Sequence, residues 1–145
     1  MGAIYKILLP KLEPEAMDWM MDNSIEIPKD ESRLPTPNEI IATLKNLDIV
    51  KFSHFQSGNC WQVPIDSNQE SWENAWTLLR VNNFKSFDHP HEFHFEAGWP
   101  EMIILITFEL SKTCGPFVLS TDEGRRMSLV SPEIEFGRAL SWLMG

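Results

Sequence analysis

Positive charge is what this chain has least of. Its 145 residues carry 12 Lys and Arg against 21 Asp and Glu, a formal net charge of −9. Between Ser86 and Ser111 there is no Lys or Arg, while Asp88, Glu92, Glu96, Glu101 and Glu109 all fall in that stretch. From Glu13 to Glu31 the only basic residue is Lys29. Such a surface repels phosphate backbones and anionic headgroups, so neither nucleic acid nor a membrane is an expected partner; cations and basic proteins are. Cysteine is nearly as scarce. Cys60 and Cys114 are too few for a disulfide framework and lack zinc-ligand spacing, so reduced thiols and a cytoplasmic location are expected. Long apolar runs are missing too. The strongest, Met102 to Ile106, falls far short of the ~20 residues that span a bilayer. The opening MGAIYKILLP reaches Pro10 before an apolar stretch of leader length accumulates. There is no phosphate loop, dinucleotide fingerprint or nucleophile elbow, so no cofactor is implied and no residue is assigned to catalysis.

Aromatic residues, by contrast, are plentiful. Six Trp and nine Phe are enough to build much of the core of one domain spanning 1–145, with a surplus available for a pocket or a partner. Residues 3–9 read as a strand ended by Pro10, and 13–22 as a short helix with Pro14 in its first turn. Residues 23–35, with Pro28 and Pro35, read as a long loop. The tetrapeptide 36-TPNE-39 announces a helix by a capping box, and Ile40, Ile41, Leu44 and Leu47 supply its apolar face. Strands at 49–55 and 60–65 flank the turn 56-QSGN-59 as a hairpin. A second capping box, Ser67 with Glu70, and the spacing of Trp72, Trp76 and Leu79 predict a helix after it. Residues 91–97 read as a strand. Residues 101–113 carry β-branched side chains that suit a strand, but their length, Pro100 at the start and Gly115-Pro116 at the stop favour a buried helix. A hairpin over 117–130 and a helix opened by Ser131-Pro132 close the chain.

The order suggests two βαββα halves, 3–82 and 91–144, related by a pseudo-twofold axis. The expected architecture is α+β: a mostly antiparallel sheet of about six strands with helices packed mainly on one face. Trp72, Trp76, Leu140 and Leu143 are expected to be buried.

The densest chemistry lies in 89-HPHEFHFE-96. Strand alternation puts Glu92, His94 and Glu96 on one face and His91, Phe93 and Phe95 on the other, which the phenylalanines mark as the core side. Same-face neighbours on a strand are about 7 Å apart, too far for all three polar residues to grip one ion unaided. A polar surface is therefore the leading reading, and no stoichiometric transition metal is expected. Cys114, at a helix C-terminus, is expected to be a packed thiol with a raised pKa rather than a nucleophile. His54 falls on the apolar side of its strand, as a core residue.

The functional expectation is a non-enzymatic acidic binding protein, an inhibitor or toxin-neutralising (immunity-type) protein that engages a basic protein. Glu92, His94, Glu96 and Trp99 are its candidate binding residues. One alternative is a small-molecule-binding domain with an aromatic pocket between the halves, drawn from Trp61, Trp72, Trp76 and Trp99. The other is a metal-dependent enzyme using Glu92, His94 and Glu96.

Overall fold

A computed structural model describes residues 4–70, 74–121 and 126–144. Among them the chain forms eight strands and four helices. The strands are β1 (Ile4–Leu8), β2 (Val50–Phe52), β3 (Phe55–Ser57), β4 (Cys60–Ser67), β5 (Trp76–Val81), β6 (His94–Glu96), β7 (Phe117–Thr121) and β8 (Met127–Val130); the helices are α1 (Pro14–Asp22), α2 (Pro37–Lys45), α3 (Pro100–Cys114) and α4 (Phe136–Met144). Every pairing is antiparallel, in the order β2-β4-β5-β6-β1-β7-β8, with β3 also on β4. β2 and β3 are thus one edge strand broken at Ser53 and His54. The hairpin turns at Gly58-Asn59, where Gly58 takes φ +62°, and such an interrupted edge resists pairing with other chains.

The two faces of the sheet are buried differently. Tyr5, Trp61, Val63, Ile65, Leu79, Val81, Phe95, Phe117, Leu119 and Val130 point to one face and pack with α2, α3 and α4. α3 is the apolar centre of this layer: Met102, Ile103, Ile104, Ile106 and Leu110 are all buried. Its helical state follows from Pro100 at the first turn and Gly115 just past its end, with φ +92° and no room for a Cβ against Ser32 and the Glu31 backbone. On the opposite face, Leu8, Val118 and Leu129 meet Ala16 and Met20 of α1 and Ile25 of the loop after it. α1 therefore covers only the β1-β7-β8 half. Among the described residues no helix covers the β4-β5-β6 half of that face.

The capping box of α2 forms as its sequence predicts. Thr36 Oγ1 accepts from Glu39 N–H at 3.1 Å, and Glu39 returns an acceptor to Thr36 N–H at 2.9 Å. Arg33 grips the same Glu39 carboxylate through both terminal nitrogens, at 2.8 and 2.6 Å, fastening the 23–35 loop to the helix start.

The α+β class, the mainly one-sided helices and the buried helix over 101–113 are all present. The helix expected after Ser67 is not seen among the described residues. Ser67 ends β4, and its hydroxyl accepts from Gln69 N–H at 3.0 Å in a local turn. Residues 76–81 are a strand, because Thr77, Leu79 and Val81 alternate with Trp76, Leu78 and Arg80 and pair with β4 over six residues. Period-2 burial against two neighbouring strands outweighs a three-residue helical coincidence. The β-α-β-β-α order is consequently seen in the second half alone. Trp76 is 46 % exposed rather than buried, Leu140 is half-buried, Leu143 is buried, and Trp72 lies outside the described residues. α4 also begins later than expected, at Phe136. Ser131 instead takes Glu133 N–H in a preceding turn.

Candidate binding surface

The uncovered half-face is built by strand alternation. β4 contributes Cys60, Gln62, Pro64 and Asp66, β5 contributes Trp76, Leu78 and Arg80, β6 contributes His94 and Glu96, and β1 contributes Ile4 and Lys6. The register sets these side chains in rows. Lys6 faces His94, His94 faces Arg80 and Arg80 faces Gln62; Ile4 faces Glu96, and Glu96 faces Leu78; Trp76 faces Asp66.

Arg80 organises the middle of this surface. Its Nη1 donates to Glu96 Oε2 at 2.8 Å and Oε1 at 3.2 Å, while Nε and Nη2 reach Cys60 Sγ at 3.2 and 3.1 Å. Glu96 Oε2 also lies 3.6 Å from His94 Nε2. Burial lowers the pKa of His94, Glu96 opposing it and Arg80 adding to it. Glu96 is thus engaged by Arg80 along one side, and the expected trio does not converge on a point. Among the described residues no group of three or more His, Cys, Asp and Glu side chains is placed to hold a metal ion.

Glu92, exposed, lies further along in a groove of about 630 Å³ where the open face meets the start of α1. Its charged walls are Glu13, Glu15, Glu92 and Lys6, with His94, Asn82 and Asn83 beside them. Glu13 and Glu15 belong to one Lys/Arg-poor stretch of the sequence and Glu92 to the other. α1 packs against β1, and β6 pairs with β1, so the fold brings the two stretches together. No sequence pattern shows that junction, because it depends on β1 lying between β6 and β7.

Of the strand expected over 91–97 only His94–Glu96 forms one, but the expected alternation of faces is seen: His91, Phe93 and Phe95 are buried, Glu92 is exposed, and His94 and Glu96 are half-buried. His91 stacks on Phe84, with ring centroids 5.4 Å apart and planes 12° from parallel, and its Nε2 accepts from Lys85 N–H at 2.9 Å. A neutral imidazole that accepts at Nε2 carries its proton at Nδ1, and that atom is buried with no hydrogen-bond partner. Burial lowers the His91 pKa most; the His89 backbone opposes, and the His89 and Lys85 charges add to the lowering. Sequence reading missed this aromatic cap of Phe84, Phe87, His91 and Trp61. It also placed His54 in the core, whereas His54 is exposed in the β2–β3 break and accepts from Trp61 Nε1 at 3.2 Å.

The remaining candidates separate. Trp61 is fully buried on the helix side of the sheet, whereas Trp76 stands on the open side. Trp99 precedes α3 and is 36 % exposed. Cys114 is buried at the end of α3; burial pushes its thiol up to about 11, Arg33 pulling against this and Glu39 adding to it. No helix among the described residues is long and apolar enough to cross a membrane. Comparison with protein-family models, curated proteins and solved structures yields no match for this chain.

Proposed function

We propose that this protein is a non-enzymatic acidic binding protein of the inhibitor or immunity type, and that the groove beside the open half-face receives a basic segment of a protein partner. One observation supports this most: Glu13, Glu15 and Glu92, from separate acidic stretches, line one groove with Lys6 as the single formal positive charge among the described residues that line it. Three carboxylates around a concave surface focus the field of a chain whose net charge is −9. Complementarity of this kind speeds encounter with a cationic partner and rejects anionic ones. His94 lines the groove, and beside it, 3.6 Å from His94 Nε2, the Arg80 ion pair fixes the Glu96 carboxylate in place.

Amide chemical-shift mapping with a lysine octapeptide tests the reading. Shifts are expected around Glu13, Glu15, Glu92 and His94, weakening as salt rises. Shifts spread evenly over all acidic residues, or centred elsewhere, contradict it.

A further inference from the structure

We infer that Trp76, with Trp99 beside it, is the aromatic anchor of the same docking face, and that the partner residue it receives is an arginine. This rests on the reading of the groove as the site of a basic partner and adds which basic residue the surface selects. Trp76 is a strand residue on the open face, yet 46 % of its surface is exposed, the most of the described tryptophans. Its neighbour on β4 is Asp66, exposed and directly opposite in the register. Extending the β5–β6 register beyond Leu78–Glu96 sets Gly98 on its other side, a residue that contributes no side chain there.

The backbone holds this arrangement deliberately close. Ala97 takes φ +58° and Gly98 φ +107°. A Cβ at Gly98 would fall against the Trp76 carbonyl oxygen and 2.6 Å from Thr77 Cβ. Trp99 N–H donates to that same Trp76 carbonyl at 3.0 Å, and Thr77 Oγ1 donates to the Ala97 carbonyl at 2.9 Å. The tight turn brings a second exposed indole, Trp99, to the same end of the β5–β6 ladder.

An exposed indole with a carboxylate opposite it on one side and a glycine on the other matches a guanidinium better than an ammonium. The planar cation stacks on the ring and still presents donors in its plane to Asp66; a lysine places only a hydrated point charge. Lys51, the other cross-strand neighbour of Asp66, lies on the far side from Trp76 and leaves that approach free. Arg80, Leu78 and Trp76 succeed one another on the open side of β5, so Trp76 is about 14 Å along the strand from the groove end. An extended segment spans that distance with four or five residues. Steering by Glu13, Glu15 and Glu92 and anchoring by Trp76 would then act on one partner.

Peptides of eight arginines and eight lysines carry equal charge and separate the two elements. The wild-type protein is expected to bind the arginine peptide about two- to five-fold more tightly, a cation–π increment at an exposed ring. Trp76→Leu should abolish that preference, weakening the arginine peptide about two- to five-fold more than the lysine peptide, with the thermal midpoint unchanged. Glu13→Gln/Glu15→Gln/Glu92→Gln should weaken both peptides alike. In the wild type, the Trp76 indole N–H resonance should move with the arginine peptide and not with the lysine peptide, a readout that needs no substitution. Equal affinities in the wild type, or an arginine preference that survives Trp76→Leu, overturn the anchor. An arginine preference kept alongside affinities untouched by the triple substitution overturns the groove reading instead. Absence of binding by either peptide at millimolar concentration overturns both.

Discussion

Arg80 and Glu96 are joined across the β5–β6 ladder, Nη1 to Oε2 at 2.8 Å, on the only half-face that no described helix covers. The pair keeps a carboxylate of the 89–96 segment fixed but not buried, since both side chains remain about one-third exposed. Partly solvated pairs contribute little to stability, so Glu96→Gln should cost no more than about 1 kcal/mol. Denaturant unfolding of the variant checks this.

Trp61, expected as a pocket residue, and Trp76, expected in the core, differ in what their removal should do. Trp61 is fully buried, so Trp61→Ala should cost about 3–5 kcal/mol. Trp76→Ala, on the exposed face, should cost less than about 1 kcal/mol. Equal losses in chemical denaturation would place Trp76 in the core after all.

Glu39 should govern part of the acid limb of stability. The hydrogen bond from Arg33 holds its carboxyl down at about 2, burial opposing and the Thr36 bonds assisting. Because the folded value lies below the unfolded one, this contribution is complete above about pH 4.5 and is lost as pH falls towards 2. Glu39→Gln should lower stability by about 1 kcal/mol at neutral pH, discounted for the exposure of Arg33. It should also flatten the decline below pH 4.5 in urea titrations.

His91 acts at a higher pH with the same sign. Its pKa is lowered in the fold, so the unfolded chain binds the extra proton more readily. Its contribution is present above about pH 6.5, the ordinary histidine value, and is lost as pH falls below it. Protonation also removes the Nε2 acceptor that holds Lys85 N–H. Unfolding midpoints measured from pH 7.5 to 5 should fall, and His91→Phe, which can keep the stack on Phe84, should fall less over that range. His94, also lowered, leaves a residual slope in that variant.

What the sequence made legible was local. The box of Thr36 and Glu39 forms α2, Pro100 and Gly115 bound α3, and Phe93 and Phe95 fix which way His94 and Glu96 point. The first failure came where two periodicities overlapped. Trp72, Trp76 and Leu79 fit a helix, but Thr77, Leu79 and Val81 bury one face of a strand, and only the pairing partners β4 and β6 decide between them. The groove was illegible for a related reason. Glu13 and Glu92 share it through sheet order and the docking of α1, which no local pattern encodes.

Stopped-flow association of the lysine octapeptide, at low and at physiological salt, tests the central claim most directly. The acidic groove predicts an on-rate that drops steeply with salt, a dissociation rate that changes less, and an on-rate lowered by Glu13→Gln/Glu15→Gln/Glu92→Gln with the fold intact. An on-rate independent of salt, or one the triple substitution leaves unchanged, would contradict it.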